Sequence, residues 1–252
     1  DFPKSNWNFR KWLWIPSMRF FGIMKINFFR HIAVLSGTGV GGGSLVYANT
    51  LPIPKSTFFK TGSWSQLLDW EDELAPYYKE ALRMLGAAKT PKLFDADLGL
   101  KKVAQKLHIE DKFKATNVAI YFGEENVTKK DPYFEGKGPE RTGCNYCGAC
   151  MTGCRNNSKN TLDKNYLYLA QKLGAEILAE HEVYDVRPIN EEDGANGYEV
   201  AIKTSTKFVT KRRKIKSQGV IFSGGVLGTI KLLLKLKTSS LPKLSNRLGH
   251  DI

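Results

Sequence analysis

Apolar positions along the chain fall into short runs that change period several times, and this alternation predicts a fold built from both helices and strands. A short apolar strand is expected over residues 32–35, directly before a glycine-rich turn. Between residues 64 and 85, Leu67, Leu68, Leu74, Tyr78, Ala81, Leu82 and Leu85 recur at helical spacing, and Gly86 supplies a stop. A second helix is expected over 100–107. Residues 161–173 carry the same period, with Leu162, Tyr166, Leu169, Ala170 and Leu173 on one face and Gly174 behind them. Strands are predicted over 176–179, 183–188, 198–203, 207–215 and 219–222, and an amphipathic helix over 227–236. Strand, glycine turn and helix follow one another near both ends, so the expected fold class is α/β with an α+β mixture, a mixed sheet with helices packed on it. Residues 121–160 read as an irregular but ordered loop region holding four cysteines.

The 252 residues, 42% hydrophobic and 25% charged, are enough for one large domain or two small ones. The chain starts at Asp1 and stops soon after Gly249, which reads as a fragment. The aromatic and basic stretch 12–29 is broken by Pro16, Arg19, Gly22 and Lys25, so it falls short of the roughly 20 apolar residues of a membrane span. It also lacks the apolar core and cleavage site of a signal peptide. Peripheral membrane contact through its aromatic side chains is the use left open to it. The net charge of +13 is densest over 207–216, where alternation predicts strands with basic side chains exposed on one face; no nucleic-acid module accompanies it.

Two glycine segments carry candidate chemistry. In Ser36-Gly37-Thr38-Gly39-Val40-Gly41-Gly42-Gly43-Ser44, five glycines in seven residues remove the side chains that hold backbone N–H groups away from a phosphate or a flavin ring. Gly37, Gly39 and Gly42 fit G-x-G-x-x-G, but Pro52 and Pro54 follow where the dinucleotide-binding fingerprint requires a helix. In residues 220–229 an apolar strand runs through Ser223-Gly224-Gly225 into a helix, whose first amides suit an anion or the polar edge of a cofactor. His31, His108, His181 and His250 are isolated and read as structural or surface residues. Trp64, Trp70, Tyr77 and Tyr78 read as helix packing, and Glu71, Asp72 and Glu73 as favourable partners of a helix N-terminus.

Cys144, Cys147, Cys150 and Cys154 form C-x2-C-x2-C-x3-C, the spacing of bacterial ferredoxin ligands. Arg155 stands where those proteins have proline, and there is no fifth cysteine. An iron-sulfur cluster, zinc held by four thiolates, and disulfides or packed thiols are the alternatives, with the last favoured. An iron-sulfur electron-transfer module is accordingly the rival reading for the chain as a whole.

Taken together, the segments beginning at Gly39, Lys159 and Ser223 resemble the glucose-methanol-choline (GMC) oxidoreductase family, most closely its cholesterol-oxidase-like branch. Gly39-Val40-Gly41-Gly42-Gly43-Ser44-Leu45-Val46 is similar to the first family signature, residues 159–167 to a segment ahead of the flavin-domain strands, and residues 223–234, continuing to Gly249, to the second signature. The resemblance implies FAD as cofactor and oxidation of a small-molecule alcohol, a sterol or another bulky hydrophobic one, by hydride transfer; the electron acceptor that follows is unspecified. It implies FAD contacts at Gly39, Gly41, Gly42, Gly43 and Ser44, with Tyr47, Ala48 and Asn49 nearby, at Val183 through its backbone, and at Ser223, Gly224 and Gly225. Tyr47 departs from the small or amide residue expected in that branch. The resemblance divides the chain into 1–63 and 161–252 as parts of an FAD-binding domain and 64–160 as a helical, cysteine-rich insertion or substrate-side segment. It places the ADP-binding unit upstream and the catalytic base downstream, leaving no catalytic residue here.

Overall fold

The computed structural model describes residues 3, 7–190 and 193–250, so parts of segments 1–30 and 248–252 lie outside the described residues. Helices and small sheets are mixed along the chain, which divides into two compact units, one of residues 1–14 and 22–177, the other of 15–21 and 178–252.

After a short helix (Phe9–Trp12) the first unit forms a hairpin. Strands β1 (Met24–Phe28) and β2 (Ala33–Gly37) pair antiparallel with Ile26 opposite Leu35. The first strand arises inside the stretch whose period gave no strand: Gly22 lets the chain pass against the backbone of Trp12, where a Cβ would lie 2.2 Å from the Trp12 carbonyl carbon. Helix α1 (Trp70–Met84) is shorter than its periodicity predicts, because Asp69 accepts the Asp72 amide and starts it. Trp64 therefore lies outside the helix, where it packs edge-on to Trp70 at 5.6 Å and accepts the Trp70 indole N–H through its carbonyl. Glu71, Asp72 and Glu73 occupy the first turn, as expected. Helix α2 (Asp95–Lys106) begins a turn and a half before the predicted start, because the Asp97 carboxylate caps the Phe94 amide.

Beyond α2 the chain is irregular, as expected, and hydrogen bonds from one side chain organise part of it. The Asp131 carboxylate accepts the N–H groups of Tyr133, Phe134, Gly136 and Gly138 at 2.8–3.1 Å. The expected helix over 161–173 is split into a 3-10 turn (Leu162–Lys164) and α3 (Tyr166–Lys172). Asn165, at φ −135° and ψ −98°, breaks the run and caps α3 with its side chain. Leu173 is 89% exposed, so it does not extend a buried face. The interior of this unit is partly polar: Trp12, Phe59, Ala119, Ile120 and Phe134 are buried, and so are Asn49, Arg141 and residues 158–161.

In the second unit β3 (His181–Pro188), β4 (Tyr198–Thr204) and β5 (Arg212–Ser217) form an antiparallel sheet in the order β5-β4-β3. Helix α4 (Val226–Lys237) packs on β3, burying Leu236, while Val186, Ala201 and Ile202 fill the sheet side. Named sheet pairings throughout the described residues are antiparallel. β5 starts at Arg212 rather than 207, because residues 205–211 turn the chain from β4 and the Lys211 amide closes that turn on the Thr204 hydroxyl. Its basic side chains are exposed. The strands expected over 176–179 and 219–222 are absent: among the described residues neither segment pairs with another strand, and Ile221 is 91% exposed. An apolar run becomes a strand only where another backbone completes its hydrogen bonds.

Two measurements follow. Burial acts to raise the Asp131 pKa, but its four backbone donors outweigh this and hold the carboxyl below its ordinary value. Its stabilisation is therefore present above the unfolded carboxyl pKa and lost as pH falls through the lower native value. Asp131→Asn should cost about 1–2 kcal/mol at neutral pH, and urea midpoints of variant and parent should converge in acid. Leu236→Ala, emptying a fully buried position, should cost about 2–5 kcal/mol by denaturant unfolding.

Candidate functional site

The glycine turn follows β2 without a helix. Thr38 donates its amide to the Ile23 carbonyl at 2.7 Å, after which Gly39, Gly41 and Gly42 take φ values of 142°, 104° and 55°. These angles are open to glycine and costly to other residues. A 3-10 turn over Gly42–Leu45 follows in place of an α-helix. The Ser44 hydroxyl donates to the Gly41 carbonyl at 2.7 Å and accepts the Leu162 amide at 3.0 Å, locking the turn onto the segment ahead of α3. Among the described residues the N–H groups of Gly39, Val40 and Gly41 have no hydrogen-bond partner. A Cβ built on Gly42 or Gly43 would meet nothing within 4 Å. The turn thus combines free amides with an uncovered backbone surface, a combination suited to an anionic or polar flat group.

Behind the turn lies a buried polar network. Lys159, 1% exposed, donates from Nζ to the carbonyls of Leu45, Tyr47 and Cys150 at 3.2, 2.7 and 2.9 Å, and sits 4.4 Å from the centre of the Tyr47 ring. Burial pulls this ammonium down to about 8. Tyr47 donates its hydroxyl to the Asn160 carbonyl, and burial, with Cys150 close by, pushes the phenol up to about 12. Arg141, also 1% exposed, donates to Oδ1 of Asn157 and Asn160 and to the Lys159 carbonyl, and Asn160 donates to Gly86. Ala48 is exposed, whereas Asn49 is buried at φ 55° with no partner for its Oδ1. Asp163 Oδ1 and Asn165 Nδ2 are likewise buried and unpaired. Arg141, Lys159 and Asn160 are thus organisers of this region. Isolated charged residues in a loop carry no periodic signal; only the resemblance over 159–167 marked two of them.

The four cysteines are free thiols. All four line one cavity of about 190 Å³ in the first unit, together with Asn49, Phe94, Phe122 and Tyr146. Among the described residues no three His, Cys, Asp or Glu side chains converge closely enough to share one metal ion.

In the second unit Val183 lies in β3 at 39% exposure, and Ser223, Gly224 and Gly225 lead into α4. Gly225 takes φ 77°, and the Gly224 amide is bound by the Thr229 hydroxyl at 3.1 Å. All four histidines are exposed. His181 Nδ1 lies 2.7 Å from the Ala179 carbonyl.

Over residues 24–250 the chain matches the family described as GMC oxidoreductase. It is 46% identical to a cholesterol oxidase of Acinetobacter baumannii, an alignment covering 100% of this chain and 47% of the relative. It is 42% identical to a cholesterol oxidase of Mycobacterium tuberculosis, covering 99% of this chain and 44% of the relative. The chain therefore spans less than half the length of these relatives. With a match across nine-tenths of its residues and this glycine turn in place, the chain belongs to the GMC oxidoreductase family.

Proposed function

We propose that this chain is the flavin-binding part of an FAD-dependent oxidoreductase that acts on the CH–OH group of a bulky hydrophobic alcohol, a sterol being the leading substrate. The observation that carries this reading is the turn at Gly39–Ser44: three unpartnered amides beside two glycines open to a ligand face. That chemistry fits the diphosphate or the polar edge of a flavin. When bound, FAD supplies the acceptor for the hydride that leaves the alcohol carbon. The residues of this chain bind and orient: Ser44 fixes the turn, Lys159 holds the carbonyls of Leu45 and Tyr47, and Tyr47 and Asn49 stand beside it. Val183, Ser223, Gly224 and Gly225 belong to the same reading through the family resemblance, as does the division into an FAD-binding domain over 1–63 and 161–252 with an insertion over 64–160. The sterol rests on the activity named for the two cholesterol oxidases. Contact with a membrane surface would suit such a substrate, and the tip of the β1–β2 hairpin exposes Phe28 and Phe29 beside Arg30.

Gly43 offers a clean test. Its φ is not in the left-handed region and a Cβ there meets nothing, so Gly43→Val should leave unfolding of the apoprotein unchanged. In the complete protein it should weaken FAD binding by at least about tenfold, or about 1.4 kcal/mol, measured by retention of the yellow chromophore and its identification after denaturation. Wild-type affinity in the variant would remove the turn from the site. Reduction of the bound flavin by cholesterol under anaerobic conditions would support the substrate, whereas bleaching by short alcohols alone would overturn it.

A further inference from the structure

In the second unit the turn between β4 and β5 carries apolar side chains where a turn between strands ordinarily carries polar ones. Its base is fixed by hydrogen bonds: the Thr204 amide donates to the Lys211 carbonyl at 3.0 Å, the Ser205 amide to the Glu180 carbonyl at 2.9 Å, and the Thr206 hydroxyl to the Glu180 carboxylate at 2.7 Å. Beyond that base Phe208 is 84% exposed and its neighbour Val209 70% exposed. Neither joins the buried side of the sheet, which Val186, Ala201 and Ile202 fill. The one ring contact of Phe208 brings a further cation to the tip, with the Arg19 guanidinium 4.6 Å from the ring centre. Two adjacent large apolar side chains kept in water on a fixed turn lose free energy that a partner would return.

Positive charge is left over at the same tip. Along the body of the sheet basic side chains are matched, Lys203 with Glu182 at 3.2 Å and Lys214 with Glu199 at 2.8 Å. Among the described residues no ion pair involves Lys207, Lys211, Arg212 or Arg213, all of which are exposed. Arg212 lies 5.7 Å from the Tyr184 ring, a contact that leaves its charge uncompensated. Like charges crowded around one turn repel one another, and an anionic surface facing them relieves that repulsion.

An apolar tip inside a basic rim selects the kind of anionic surface. Nucleic acid would engage the cations and could stack on Phe208, but it would leave the aliphatic Val209 in water. A lipid bilayer satisfies both parts, with anionic headgroups for lysine and arginine and an acyl boundary that takes up aromatic and aliphatic side chains. We propose that the β4–β5 turn docks the protein on anionic lipid bilayers, Phe208 and Val209 entering the interface while Lys207, Lys211, Arg212 and Arg213 meet the headgroups. This contact is separate from the β1–β2 tip of the first unit and does not depend on the flavin reading.

The test is co-sedimentation of the complete protein with sterol-free vesicles of phosphatidylcholine, alone or mixed with phosphatidylglycerol. The mixed vesicles should bind at least about tenfold more tightly than the neutral ones, and added salt should weaken that binding. The double substitution Phe208→Ser, Val209→Ser, at two exposed positions, should leave thermal unfolding unchanged and weaken binding by about tenfold or more, whereas Phe208→Trp should keep it. Lys207→Gln with Lys211→Gln should weaken binding to a similar extent and flatten its salt dependence. Wild-type affinity in the folded serine variant, equal binding to the two vesicles, or no binding of the wild type to either would overturn the assignment. So would duplex DNA binding that the serine substitutions leave intact while vesicles go unbound. Because the vesicles hold no sterol and bound FAD is read from its own absorbance, vesicle binding without FAD, or FAD without vesicle binding, tells failure of one reading from failure of the other.

Discussion

The arrangement of the first unit depends on one buried amine. Lys159 donates to three carbonyls that come from two distant stretches of chain, Leu45 and Tyr47 after the glycine turn and Cys150 in the cysteine loop. Each of those carbonyls would otherwise be short of a partner in a region with little regular secondary structure. The desolvation of the ammonium is the cost, and it is visible in the lowered pKa. A hydrophobic residue could fill the volume but could not tie the stretches together, since a buried carbonyl without a donor costs about 1–3 kcal/mol.

Arg141 extends the same logic. Its guanidinium spans Asn157, Lys159 and Asn160, and Asn160 reaches on to Gly86, where a Cβ would lie 2.4 Å from the Asn160 amide nitrogen. The glycine that ends α1 is thus also a packing requirement of the polar interior. Rigid planar donors suit this work because each contact fixes the next. The result is a turn whose face at Gly42 and Gly43 is left bare while its reverse side is held by hydrogen bonds. A rigid support behind an uncovered face is what a tightly bound planar cofactor demands.

Much of this was readable from residue order where local physics decides. β2, the second half of α2, and α4 followed from period and capping, as did the glycine turn with no helix behind it. Failures came where a distant partner decides. Met24–Phe28 became a strand because β2 lies beside it, and residues 219–222 did not because no strand does. Trp64 matched the helical period but was excluded by the Asp69 cap. Of the candidate site, the glycine run stood out in composition and Ser44 entered through the family resemblance, whereas the hydrogen bonds made by Arg141 and Lys159 exist only in three dimensions.

Residues 219–222 carry a wider consequence. Val220, Ile221 and Phe222 form an apolar run outside any strand or helix, and Ile221 is almost wholly in contact with water. Unpaired apolar backbone of this kind is a template for any strand of matching length, from a neighbouring part of the same polypeptide or from another molecule. Whatever comes to cover Ile221 removes that apolar surface from water, so this short segment gains stability from a neighbour and little by itself.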